Sequence, residues 1–213
     1  VAFDEAFNFY YQDTFELLTQ EGAELVYFSP IRAKTLPDGV KALYLGGGFP
    51  ELYAGELSSN TQMLDAVKDF YGDFGVIYAE CGGLIYLMEE LEKGNNSFEM
   101  CSLIKGVAKF GEKRVINYVE GEFQKDCILG KKGSKFKGHE FHHSTISLDD
   151  QSELDFAYKI HRGEGIVDGA DGIISKNCLA SFVHLHAASY TAFAEEFVDS
   201  AREVITTRLH RFS

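Results

Sequence analysis

Hydrophobic and polar positions follow two different periods along this chain, and the change of period divides it. Up to residue 91, short apolar runs alternate with stretches of helical spacing. Val1–Phe3 reads as the end of a strand, and Ala23–Phe28 and Ala42–Leu45 as further strands. Tyr10–Gln20 reads as a helix with Phe15, Leu18 and Thr19 on one face. Ser59–Phe70 reads as a second, with Met63, Leu64, Val67 and Phe70 at helical spacing. Val76–Ala79 is the next predicted strand and Gly82–Leu91 the helix after it. Strands separated by helices predict βαβ units, hence an α/β fold with a mostly parallel central sheet and helices on both faces.

From residue 98 to 180 the helical period disappears. Arg114–Phe123, Phe136–His142, Ser144–Leu148, Phe156–Ile160 and Gly172–Ser175 read as strands. Lys132-Gly133, Asp168-Gly169 and Asp171-Gly172 mark turns between them. This predicts an antiparallel β excursion from the α/β core. Residues 189–209 return to helix, with Ser189 as N-cap and Phe193, Phe197, Ala201 and Val204 as its buried stripe. No repeat or low-complexity linker interrupts the chain, so residues 1–213 are expected to form one domain.

Composition narrows the class. The 20 basic against 33 acidic residues give a net charge of −13, which repels a phosphate backbone, so no nucleic-acid partner is expected. No apolar run is long enough to span a bilayer, so no membrane role is expected. Cys81, Cys101, Cys127 and Cys178 form no Cys-x-x-Cys pair, which predicts reduced thiols in the cytoplasm rather than a metal cluster. The chain opens on Val1, inside a predicted strand, so a fragment or excised domain is expected.

Candidate chemistry starts at Glu80-Cys81-Gly82-Gly83, between a β-rich run and a helical one. A thiol at a strand–turn–helix junction has the layout of a nucleophile elbow, and the positive end of the following helix favours thiolate. A buried structural cysteine fits the same pattern. Gly46-Gly47-Gly48 follows another strand and offers backbone N–H groups. No Lys and Ser/Thr follow these glycines, and position 51 is Glu, so phosphate and dinucleotide loops are disfavoured and an oxyanion site or a plain turn remains. In Ser181–His186, strand alternation puts His184 and His186 on one face, where they can bind a metal or serve Cys81 as base. Strand geometry in Gly138–His143 puts His139 and Phe141 on one face and Glu140 and His142 on the other; a metal pair is disfavoured, and substrate contact or a structural role remain. No metal site is expected.

These stretches form an ordered set. Asp4–Tyr11, Tyr44–Leu52, Tyr78–Leu84, Gly138–His142 and Val183–His186 occur in family order along the chain. The chain resembles the glutamine amidotransferase domain of the cobyrinic acid a,c-diamide synthase family, which implies the class I, triad-type flavodoxin-like fold. The resemblance implies that Cys81 is the nucleophile, His184 its base, and the N–H groups of Gly48 and Gly82 the oxyanion hole. Related enzymes carry a Glu two residues after the histidine, where this chain has His186, so a Cys–His dyad is expected with its orienting carboxylate missing or drawn from elsewhere. Gly47, Arg114, His139, Glu140, His142 and His186 are candidate substrate contacts, Arg114 for the α-carboxylate of glutamine.

The resemblance also implies partners. Glutamine is the expected substrate, and ammonia is expected to pass to an ATP-binding synthetase half that amidates a tetrapyrrole acceptor. No Gly-x-x-x-x-Gly-Lys-[Ser/Thr] run occurs, so no cofactor is expected in this chain, and ATP and Mg are expected in the synthetase half. Other acceptors (a nickel tetrapyrrole or a peptidoglycan lipid) and a non-catalytic partner-binding domain are the alternatives.

Overall fold

A computed structural model describes the backbone of residues 1–149 and 154–211, with side chains except at 112 and from 205 onward. The first half holds β1 (Phe7–Phe9), α1 (Gln12–Gln20), β2 (Ala42–Leu45), β3 (Gly47–Gly48), α2 (Ala54–Ser59), α3 (Thr61–Gly72), β4 (Val76–Glu80) and α4 (Gly82–Leu87). The second half holds β5 (Met88–Lys93), β6 (Asn96–Glu99), β7 (Ile104–Phe123), β8 (Lys135–Leu148), β9 (Asp155–Arg162), β10 (Ala170–Ser175), β11 (Cys178–Ser181), β12 (His184–Leu185) and α5 (Phe193–Arg211).

The main sheet runs β12-β8-β7-β9-β10-β11-β4-β2, with β5 against β7 and β6 against β5. Among the named strands of the described residues, the parallel pairs are β2–β4, β4–β11 and β5–β7. The predicted α/β class is what the chain adopts, as a mixed sheet whose antiparallel excursion is larger than the expected parallel core. The hinge between the two parts is β11, parallel to β4 on one side and antiparallel to β10 on the other.

Strand alternation explains why both faces carry helices. In β2, Leu43 and Leu45 pack into one half of the core and Tyr44 into the other. In β4, Ile77 and Ala79 face the first half, and Val76 and Tyr78 the second. The first half is closed by Leu57 of α2, Met63, Leu64 and Val67 of α3, and Leu84 of α4. The second is closed by Leu18 of α1 and by Phe193 and Phe197 of α5. A strand buried on both faces reads as a continuous apolar run, as Val76–Ala79 does.

Several expectations change. Val1–Phe3 and Ala23–Phe28 share one isolated bridge, Ala2 with Phe28, and form no ladder. Thr19 is exposed, and the buried partner of Leu18 on α1 is Thr14. The helix after Cys81 stops at Leu87, because Met88–Lys93 pairs with β6 and β7 instead. Arg114–Phe123 is the end of one long strand, and Phe136–His142 and Ser144–Leu148 are one strand, β8. Ser189 does not cap α5; its hydroxyl donates to the carbonyls of His186 and Lys137, and the helix starts at Phe193. Among the described residues no helix is long and apolar enough to cross a membrane.

Candidate active site

Cys81 stands where β4 ends and α4 begins, with φ 47° and ψ −97°. A non-glycine residue in that region is strained by about 1–3 kcal/mol and persists only where its surroundings hold it. Here the Cys81 N–H donates to the Ser181 carbonyl at 2.7 Å, and Ile85 N–H donates to the Cys81 carbonyl at 3.0 Å. The predicted elbow is therefore built by β11 on one side and by the first turn of α4 on the other. The thiol is 4% exposed and donates to the Phe141 carbonyl at 3.6 Å. Cys101 and Cys178 are also buried, but burial in apolar surroundings pushes their thiols up, that of Cys178 to about 12. Burial also raises the Cys127 thiol. All four cysteines are free.

The glycine loop closes over the same point. Gly47 and Gly48 form β3, paired with β1. A Cβ on Gly48, whose φ is 154°, would lie 2.1 Å from the Ala6 carbonyl, so no larger residue fits. A Cβ on Gly47 would lie 2.4 Å from Cε1 of His184, which shows how closely the imidazole approaches the loop. A Cβ on Gly82 would lie 3.1 Å from the Gly48 nitrogen. The backbones of Gly48 and Gly82 thus converge beside Cys81, the arrangement two oxyanion donors need.

His184 is 3% exposed and lies in β12, paired directly across from His139 of β8. The two rings stack with centroids 4.7 Å apart at 13°, and the Phe9 ring meets His184 edge-on at 4.9 Å. Burial alone would lower the imidazole's pKa. Hydrogen bonding to Cys81 and its charge, followed by the nearby Glu80 carboxylate, overcome that and raise it to about 10. Burial and the neighbouring His184 drive His139 the other way, to about 4, so it is the neutral member of the stack. Tyr11 Oη lies 2.9 Å from His139 Nδ1.

Glu80, one residue before Cys81, supplies a carboxylate that the motifs did not single out. It is 2% exposed, and its Oε2 lies 3.6 Å from His184 Nδ1, an ion-pair distance outside hydrogen-bond range. Tyr44 donates to Oε2 at 3.0 Å, and the Tyr78 hydroxyl and the Leu185 N–H donate to Oε1. A second buried carboxylate, Asp171, shapes the turn before His184. It accepts from the N–H groups of Gly172, Phe182 and Val183, at 2.6, 3.1 and 3.2 Å. The dipeptide Asp171-Gly172 signals a turn in sequence, and only the fold shows that its carboxylate reaches forward to residues 182 and 183.

A cleft of about 800 Å³ opens above Cys81 and His184. Gly48, His139, Glu140, His142 and His186 line it, with Phe9 and Tyr11, which the sequence reading had not assigned to the site. Strand geometry puts Glu140 and His142 on the buried face and leaves Phe141 exposed, as predicted. Glu140 is spent on the fold, because its carboxylate accepts from the N–H groups of Glu164 and Gly165. His142 donates from Nδ1 to the Ser144 carbonyl at 2.8 Å and stacks on Phe182 at 3.8 Å. His186 does not share the surroundings of His184: it is half-exposed against Tyr11, with Asp13 Oδ2 at 4.0 Å. Arg114 is exposed and is not among the residues that line the cleft; it lies within the irregular register between Phe110 and Val115. Among the described residues, the Lys or Arg side chain that lines the cleft is Lys137.

Residues 1–192 match the model of the CobB/CobQ-like glutamine amidotransferase domain, and the chain belongs to that family. It is 44% identical over 222 residues to the cobyrinate a,c-diamide synthase of Methanosarcina barkeri (strain Fusaro / DSM 804), covering 98% of this chain and 44% of that protein. It is 45% identical over 204 residues to the enzyme of the same name from Methanothermobacter thermautotrophicus, covering 95% of this chain and 44% of that protein. The chain therefore spans less than half the length of these relatives. A solved glutamine amidotransferase superimposes with a TM-score of 0.61 at 18% identity, covering 87% of this chain and 90% of that one, which shows a shared fold.

Proposed function

We propose that this chain, a glutamine amidotransferase domain by family, hydrolyses glutamine at Cys81. Its ammonia passes to a synthetase half for amidation of tetrapyrrole carboxylates, as in cobyrinate a,c-diamide synthesis. The observation that carries the reading is the meeting of Cys81, His184 and Gly48 in one cleft, with the Gly82 backbone beside that of Gly48. The acceptor is inferred from the relatives. ATP and magnesium belong to the synthetase half, because this chain has no phosphate loop to hold them.

In this mechanism the Cys81 thiolate attacks the side-chain carbonyl carbon of glutamine. The oxyanion is received by the N–H groups of Gly48 and Gly82. His184 gives its proton to the departing ammonia, leaving a thioester on Cys81. The hydrogen bond and charge of Cys81 are the leading influences holding that proton. Acylation removes the thiolate, so the imidazole surrenders its proton at the step that needs it. The neutral imidazole then takes a proton from water, which releases glutamate and restores the thiolate.

The test is Cys81→Ala. Alanine meets the same backbone conformation with no new clash and lacks only the sulfur. We expect ammonia release from glutamine to vanish while far-ultraviolet dichroism is unchanged. Residual hydrolysis within tenfold of wild type would remove Cys81 as nucleophile.

A further inference from the structure

An ionised carboxylate has about four lone-pair sites. Three on Glu80 are taken, by Tyr44, Tyr78 and the Leu185 N–H. Facing this carboxylate is His184 Nδ1, buried and with no hydrogen-bond partner within range among the described residues. A buried ring nitrogen without a partner costs about 1–3 kcal/mol, so the pair has reason to close the remaining distance.

We propose that Glu80 is the positioning residue of the site: its carboxylate accepts the Nδ1–H of His184 and holds Nε2 toward Cys81. This rests on the reading of Cys81 and His184 as nucleophile and proton carrier. The function of an orienting carboxylate is thereby moved from two residues after the histidine to the residue before the nucleophile. That displacement is possible because β4 and β12 converge at this point. Leu185, the neighbour of His184, donates its own N–H to Glu80, so one carboxylate fixes both the strand and the ring.

The two tyrosines keep the carboxylate in place. Burial, and next the charge of Glu80, hold the Tyr44 and Tyr78 hydroxyls protonated well above their ordinary range, so both remain donors. The groups facing His184 are then Cys81 and Glu80, with His139 stacked on its ring and neutral. A neutral His139 adds no positive charge to compete for the Glu80 carboxylate.

The experiment is Glu80→Gln in the full chain. The amide cannot match all the donors and presents an N–H where His184 needs an acceptor, which favours the wrong tautomer. We expect kcat for glutamine hydrolysis to fall by about 10²–10⁴, the range for losing general acid–base catalysis, with KM within threefold. The titration midpoint of His184, followed by nuclear magnetic resonance, should fall by one pH unit or more, and dichroism should not change. Glu80→Asp, which keeps the charge, should recover part of kcat. An unmoved His184 midpoint with kcat within threefold of wild type overturns the assignment. Should Glu80→Gln fail to fold, the wild type itself decides. A low-field Nδ1–H resonance, lost in His184→Asn, supports the bond, and its absence from a folded wild type overturns it. Turnover retained in Cys81→Ala would instead strike the reading of the site, whatever Glu80 does.

Discussion

His184 and His186 stand two residues apart and meet different chemistry. The first is 3% exposed, raised to about 10 by Cys81 and Glu80, and pressed on the glycine loop. The second is half-exposed against Tyr11 and Asp13. Removing a general acid–base group costs about 10²–10⁴ in rate. We therefore expect His184→Asn to lower glutamine hydrolysis by that factor and His186→Asn to stay within a few-fold of wild type. Rates for the two variants, measured side by side, check this, and a more damaging His186→Asn would exchange the roles. At this scale the motifs made a neighbourhood legible: Cys81, His184, Gly48 and Gly82, far apart in sequence, lie close together in the fold. Glu80 was not, because a carboxylate next to a nucleophile looks like any polar strand end. Its meaning depends on Tyr44, Tyr78 and Leu185, which come from three separate stretches of chain. Arg114 failed for the converse reason, since a cation in the right region carries no information about which way its strand turns.

Elements follow the same logic of local signal against distant pairing. The run Val76–Ala79 was readable because burial on both faces needs an unbroken apolar stretch. Met88–Leu91 was misread because its period fits a helix, and pairing with β6 and β7 overrides that preference. The turn from β11 to β12 was also hidden, since Ser181–His186 alternates like one strand while Asp171 pins Phe182 and Val183 between two short ones. Burial lifts the Asp171 carboxyl from 3.8 to about 7. A raised acid keeps its proton in the fold after the unfolded chain has lost it. Its contribution to stability is thus fully present below about pH 4 and is lost as pH rises through about 7. Asparagine does not titrate and opposes an N–H of its own to the backbone donors, at a cost of about 1–3 kcal/mol. We expect Asp171→Asn to melt below wild type, with the gap narrowing from pH 4 to 7 and level above 8. Melting curves across that range test it, and a gap independent of pH would show that this carboxyl does not hold the proton.

At the scale of the whole molecule, the cleft that holds Cys81 also carries exposed apolar groups. Its mouth exposes Phe49, Ile116, Tyr118 and Phe141, with Tyr118 76% exposed. Exposed apolar groups gathered at one opening mark a surface that another surface covers. The relatives are more than twice as long as this chain, and on the proposed function their synthetase half is the expected cover. On that reading glutamine hydrolysis is coupled to an activated acceptor, since ammonia released without one is wasted. Docking has a direct route to the chemistry. Phe49 follows Gly48, and its N–H bonds the Ala6 carbonyl at 3.0 Å, so pressure on the exposed ring bears on the oxyanion loop. A peptide turned away at Gly48 withdraws one donor, worth about 10²–10³ in rate. We therefore expect this chain alone to be a slow glutaminase and to speed up by one to three orders of magnitude with the synthetase half, ATP and acceptor present. Ammonia release with and without those additions is the measurement. A rate that the additions leave unchanged would mean that the oxyanion loop is already set in the isolated chain.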